Sequence, residues 1–216
     1  MGRGSSKIVM LDVLKEFAYV AKQNGFCTSG VKTTLSDCTS VYSYRAFSVP
    51  RFAGMIYTDM YRGNTVECGQ ESISKDLALR WHNQYYGGAC AAWPFHRFAR
   101  NEVEKLGRTF RETGYRFPSL VTSFLKQAMQ HAPRDFPIRG PRLYRASRVE
   151  FDGARYGGHW EYRNRWQRVA LFESADPFVC FKGVESIQLN GVVVQSHTYH
   201  GGLVVDKHFP FELGQT

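Results

Sequence analysis

Two stretches of this chain repeat each other at a fixed distance, and that repeat limits the possible folds more than any other feature. Gly69-Gln70-Glu71-Ser72-Ile73 matches Gly183-Val184-Glu185-Ser186-Ile187. Tyr85 and Gly87-Gly88 match Tyr199 and Gly201-Gly202, so seven of twenty positions agree at an offset of 114 with no gap. About one agreement is expected from ordinary composition, and a self-match at fixed spacing marks a repeated structural unit. The second copy shows what the unit is. Leu189-Asn190-Gly191-Val192 carries the Asn-Gly pair that tolerates positive φ at both central positions of a type I′ hairpin turn. Alternation from that turn sets Leu189 opposite Val192, Ile187 opposite Val194 and Glu185 opposite Ser196. Glu185 then shares an apolar face with Ile187, Leu189, Val192 and Val194. The same offset puts Glu71 beside Ile73 and opposite His82, with Arg80 and Tyr86 further along that face.

Apolar stripes mark the helices. Met10, Val13, Leu14, Phe17, Ala18 and Ala21 recur at the helical period and stop at Asn24-Gly25, which predicts a helix over about 9–23. Val121, Phe124, Leu125, Ala128 and Met129, opened by Pro118-Ser119 and closed before Pro133, predict a second. Ala99, Val103, Leu106 and Phe110 predict a third, basic helix around 96–111 that packs by one face. Between the stripes the chain is rich in Tyr, Val, Ile, Thr and Gly, which reads as strands. The expected architecture is α+β, an internally duplicated helix-plus-antiparallel-strands unit whose halves are related by a pseudo-twofold. A flexible leader is expected over 1–8 and a single domain over 9–216. That domain divides into a first half (about 9–88), a basic inserted segment (about 89–116), a second half (about 117–205) and a tail (206–216).

Composition narrows the class. A hydrophobic content of 43% with 15% aromatics lies far from the disordered regime. No run approaches the roughly 20 apolar residues of a membrane helix, and residues 1–7 lack the apolar stretch of a signal peptide, so a cytoplasmic protein without a membrane partner is expected. Five cysteines, an odd number with no C-x-x-C, favour neither a disulfide framework nor a zinc site. The net charge is +9, and between 97 and 168 sixteen Lys and Arg stand against seven Asp and Glu. That surplus suits either an anionic macromolecule, nucleic acid or acidic protein, or a solvated basic surface.

Tyr57-Thr58-Asp59-Met60-Tyr61-Arg62-Gly63, Gly69-Gln70-Glu71 and Asn83-Gln84-Tyr85-Tyr86-Gly87 resemble the first half of the bacterial "domain of unknown function" 5680 family. Pro137-Ile138-Arg139-Gly140-Pro141, Gly183-Val184-Glu185, Asn190-Gly191 and His200-Gly201-Gly202-Leu203 resemble its second half. Members of that family occur alone or behind XRE-type helix-turn-helix regulators, so the resemblance implies effector sensing and no assigned catalytic residues. Against that pattern, extra residues are expected at about 89–116 and 163–178, and no such headpiece is expected within these 216 residues.

Glu71 and Glu185 are the first site candidates, because a carboxylate on an apolar sheet face must be paired, hydrogen-bonded or protonated. They form either a paired-carboxylate pocket or a structural pair satisfied by neighbouring strands. A binding site is expected from Glu71, Arg80, His82, Tyr86, Glu185, Tyr57, Tyr61 and Trp160, with Trp81, Tyr85, Tyr162 and Trp166 mostly in the core. His197 and His200 have no acidic neighbour in sequence that would complete a metal set, and no metal or cofactor is expected. The leading expectation is a non-enzymatic domain that takes a small anionic or aromatic ligand in a cleft between the duplicated halves. The alternatives are an enzyme of hydrolase or transferase type using Glu71, His82 and Glu185, and a basic protein that binds and inhibits a macromolecular partner.

Overall fold

The computed structural model describes residues 3–27, 32–63, 66–89, 117–169 and 176–204. Helix α1 (Arg3–Asn24) leads into β1 (Lys32–Thr34), β2 (Ser40–Tyr44), a 3-10 turn (Pro50–Phe52), β3 (Met55–Gly63), β4 (Val66–Lys75) and β5 (Ala78–Ala89). Helix α2 (Phe117–Gln130) follows, then β6 (Leu143–Phe151), β7 (Ala154–Arg168), β8 (Cys180–Leu189) and β9 (Val192–Leu203). The nine strands form one sheet in the order β1-β2-β3-β4-β5-β9-β8-β7-β6.

The expected α+β duplication is thereby corrected. Of the described residues 54% are strand and 21% helix, so the fold is predominantly β, with two helices as covers. The reason lies at the sheet's centre. β5 pairs with β9 along nine registered positions, from Trp81 opposite Leu203 to Ala89 opposite Gln195. That pairing satisfies the open backbone edges of both hairpins at once, so neither half keeps a sheet of its own. The helix expected around 96–111 and the tail lie outside the described residues. The insertion expected at 163–178 begins within β7, and α1 starts at Arg3 rather than near residue 9.

Both helices cover one face of the sheet. Leu14, Phe17, Ala18 and Ala21 of α1 pack with Phe52, Met55, Tyr57, Ile73 and Trp81, and the Phe17 and Phe52 rings lie 5.3 Å apart. The α2 stripe of Leu120, Val121, Phe124, Leu125 and Ala128 packs on Val149, Tyr156, Trp160, Ile187 and Leu189, with Phe124 5.3 Å from Trp160. Each fully buried Leu, Ile, Val or Phe among them contributes about 1.5–3 kcal/mol. Among the described residues no helix is long and apolar enough to cross a membrane.

The Asn190-Gly191 turn forms as expected, with φ of 50° and 82° and Leu189 opposite Val192. One step further the register departs from strict alternation. Gln188 pairs with Val193 but Ile187 with Gln195, leaving Val194 as an extra residue; in the first hairpin Ser74 pairs with Leu79 but Ile73 with Trp81, leaving Arg80 extra. These are β-bulges, and a one-residue slip exchanges the two faces beyond it. Glu71 therefore faces Asn83, not His82, and Glu185 faces His197, not Ser196.

The repeated glycines have a packing reason. Gly69 stands opposite Tyr85 and Gly183 opposite Tyr199. A Cβ added at Gly183 would lie 2.4 Å from the Tyr199 ring and 2.9 Å from the Arg165 carbonyl oxygen; one at Gly69 would lie 2.3 Å from the Tyr85 ring. Gly183→Ala is expected to cost about 1–3 kcal/mol, the range for overpacking, measured as a lower midpoint in denaturant; an unchanged midpoint would mean that the tyrosine rings do not need the glycine.

Candidate functional site

Strand alternation carries a set of polar and ionisable side chains onto the covered face. From β3 come Tyr57 and Asp59, from β4 Glu67 and Glu71, from β5 Asn83 and Tyr85. β7 supplies Tyr162 and Asn164, β8 Glu185, and β9 Gln195, His197 and Tyr199; all are buried except Glu67, which is half-buried. Two cations descend on them from outside the sheet. Lys22, in the last turn of α1, is 1% exposed and its Nζ lies 3.0 Å from Glu71 Oε1. Arg139, from the segment joining α2 to β6, is 5% exposed and lies 3.5 Å from Glu185 Oε1. Its guanidinium also sits 4.4 Å from the Tyr85 ring centre and 5.4 Å from that of Tyr199, a cation–π arrangement at the seam between β5 and β9.

The Glu185 end is closed and satisfied. Tyr162 donates its hydroxyl hydrogen bond to Glu185 Oε2 at 2.7 Å, and His197 Nδ1 lies 3.0 Å from Oε1. His197 Nε2 reaches Glu67 Oε1 at 2.7 Å. With a carboxylate on each ring nitrogen both must donate, so the imidazole is held as its cation. Burial works against that charge, but Glu185 and Glu67 outweigh it and push the pKa up to about 9. Burial likewise would raise Glu185, but Arg139, His197 and Tyr162 hold it at about 2. Tyr199 donates to Asn164 Oδ1 at 2.5 Å, and Asn164 Nδ2 donates to the Gly140 carbonyl, which pins the Arg139 segment to the sheet.

The Glu71 end is different, because Asp59 stands directly opposite Glu71 in the β3–β4 register. Like charges across a strand pair repel. At the matching place opposite Glu185 the sheet has the neutral Asn164. Asn83 donates to Glu71 Oε2 at 2.9 Å, and against the cost of burial Lys22 and Arg139 hold Glu71 below the usual carboxylate range. Asp59 is left with a hydrogen bond from Tyr85 at 2.9 Å; burial, and then the Glu71 charge, push it up to about 7.

This end opens into a cleft of about 300 Å³ between the sheet and α2. Asp59, Glu67, Glu71, Arg139 and His197 line its polar side, while Phe26, Tyr42, Tyr61 and Phe151 line an aromatic side. Lys126 of α2 stands 5.5 Å from the Phe26 ring centre and Lys32 5.3 Å from that of Tyr61. Among the described residues the Nε–Nη2 edge of Arg139 has no hydrogen-bond partner. Among the described residues no group of three or more His, Cys, Asp or Glu is placed to hold a metal ion.

Of the expected site residues, Glu71, Glu185, Tyr57 and Tyr61 lie on or beside this network. His82 and Tyr86 do not. The β4–β5 bulge turns them to the opposite face, where His82 Nε2 lies 3.4 Å from Gln70 Oε1 and Tyr86 is 62% exposed. Arg80 is the bulge residue itself, and Trp160 is fully buried core beneath α2. The cleft lies between the sheet and α2, and its lining residues come from both 9–88 and 117–205. Sequence reasoning missed Asp59, Lys22, Arg139, Asn83 and His197. Two of them carried a signal: Asp59 alternates in phase with Met55 and Tyr57, and Lys22 stands four residues after Ala18 on the buried stripe.

The charges fix a pH profile. Asp59 and His197 have raised folded values, so their contributions are complete below their ordinary values, near 3.8 and 6.5, and disappear as pH rises through about 7 and about 9. Glu185, depressed to about 2 from 4.5, contributes above its ordinary value and loses that only as pH falls toward 2. Thermal unfolding should therefore show stability falling between about pH 4 and 9. Asp59→Asn removes the buried charge and should raise the melting temperature at pH 8 more than at pH 5. Glu185→Gln strands Arg139 and His197 and should cost about 3–5 kcal/mol. Equal effects of Asp59→Asn at both pH values would refute the placement of a strained carboxyl. No family model matches this chain, and no curated protein or solved structure matches it either.

Proposed function

We propose that this protein is a binding domain whose cleft between the sheet and α2 takes a small aromatic ligand bearing an anionic group. The observation that carries this reading is Arg139, a buried lining residue of the cleft whose Nε and Nη2 have no hydrogen-bond partner among the described residues. Such a pair of donors matches the two oxygens of a carboxylate, and a buried donor left unmade costs about 1–3 kcal/mol. The balance of charge agrees. Lys32, Lys126, Arg139 and the His197 cation line the cleft against Glu67, Glu71 and Asp59, and Asp59 carries a proton for part of the time near neutral pH. Phe26, Tyr42 and Tyr61 supply ring faces for stacking. The effector-sensing role implied by the family resemblance points the same way.

A second reading, acid–base chemistry, has one specific observation in its favour. A carboxyl with a pKa of about 7 that lines a cleft is suited to give and take protons near neutral pH. Glu71 and Glu185, by contrast, are neutralised by Lys22 and by Arg139 with His197, and His82 faces away.

The test is thermal shift and calorimetric titration with matched aromatic compounds: a carboxylate, its amide and the corresponding amine. The carboxylate alone is expected to bind, and to bind more tightly at pH 6 than at pH 8 as Asp59 loses its proton. Lys126→Gln, at the half-buried cleft wall, should weaken it about threefold to tenfold without loss of fold, and Arg139→Gln should abolish it. Preference for the amine would overturn the anionic reading, and conversion of a bound compound to a new product would select the second.

A further inference from the structure

The face of the sheet away from the helices has its own chemistry. The bulges and the strand alternation bring Met60 and Arg62 of β3, Gln70 of β4, Gln84 and Tyr86 of β5, Thr198 and His200 of β9, Lys182 and Val184 of β8, and Arg165 of β7 to that side. Both described helices pack on the other face. Two shallow troughs of about 460 and 560 Å³ lie side by side on this surface, with Thr198 and His200 lining both, and their lining extends from Arg62 to Arg165. From β3 to β7 the run crosses five strand spacings, roughly 24 Å at about 4.8 Å each.

Among the described residues its net charge is positive. Arg62 is paired with Asp37, and Arg145 and Arg163 share Glu161. Arg165 and Lys182 line the second trough, and neither makes an ion pair with a described residue. Among the described residues no acidic side chain lines either trough. Between the cations lie an exposed aromatic ring, Tyr86, and the side-chain amides of Gln70 and Gln84. An acidic protein would be met by the cations alone. Stacking faces and amide groups set between cations on an open sheet are what splayed bases and their phosphates require.

We propose that this outer face binds single-stranded nucleic acid, with a base stacked on Tyr86, base edges against Gln70 and Gln84, and the backbone held by Lys182 and Arg165. The site is separate from the cleft, and neither assignment depends on the other. A duplex is not the partner, because its bases are already stacked and offer Tyr86 no free ring face.

Fluorescence anisotropy of the whole chain with labelled oligouridylate and oligothymidylate of about ten nucleotides, and with a duplex of equal length, tests this and separates RNA from DNA. Binding to a single strand is expected at about 50 mM salt and should weaken about tenfold by about 200 mM, as two or three neutralised phosphates require. Arg165→Gln with Lys182→Gln should flatten the dependence of log affinity on log salt by about 1.4. Tyr86→Ala should weaken binding at least fivefold with the salt slope unchanged. All three side chains are exposed, so melting temperatures should hold and the variants report on binding alone. Absence of binding at low salt, equal affinity for the duplex, or full affinity in the variants would each overturn the proposal.

Discussion

Two glutamates are buried on the apolar face of a β-sheet, and the way their charge is met organises the molecule. A bare carboxylate there would cost several kcal/mol, and each of the two is met by a cation. Glu71 draws Lys22 and thereby fixes the end of α1 against β4. Glu185 draws Arg139 and His197, and thereby fixes the segment after α2 against β8 and β9. His197 extends the chain to Glu67 on β4, so the network crosses the central seam as side-chain contacts where β5 and β9 cross it as backbone ones. Replacing such a network by apolar residues often leaves a protein as stable or more so. Its effect here is positional: it fixes which part of each covering segment meets which strand.

The two ends of the network differ by one residue, and the cleft follows from that difference. Opposite Glu185 stands Asn164, and every charge at that end has its counterpart. Opposite Glu71 stands Asp59, which has a tyrosine hydroxyl for its hydrogen bond and a carboxylate for its neighbour. That end is also the one that opens toward α2, and Arg139, whose Nε and Nη2 have no hydrogen-bond partner among the described residues, is one of its lining residues. Strain, an unmet donor and open volume therefore coincide, whereas the sealed end is scaffold.

The two faces owe their separate chemistries to the bulges. With strict alternation from the turns, His82 and Tyr86 would share a face with Glu71. With Arg80 and Val194 as extra residues, the strands beyond them turn over. Trp81, Asn83 and Tyr85 go inward, while His82, Gln84 and Tyr86 go out to the basic surface.

The sequence by itself determined the helices α1 and α2 with their buried stripes, the Asn190-Gly191 turn, the repeated glycines and the burial of Glu71 and Glu185. All of these are local matters, settled by periodicity, by the φ that Asn and Gly tolerate, and by the polarity of a residue's near neighbours in the chain. It misjudged the class of fold, because whether two hairpins stay apart or join edge to edge depends on backbone groups that every sequence presents alike. The partners of the glutamates were set by the tertiary structure alone. Lys22 comes from a helix and Arg139 from a connecting segment, each far along the chain from the strand it meets, and a bulge that no residue type announces brought Asn83 and His197 into place instead of His82 and Ser196. Pairing between distant segments follows from register and packing, which are properties of the assembled sheet.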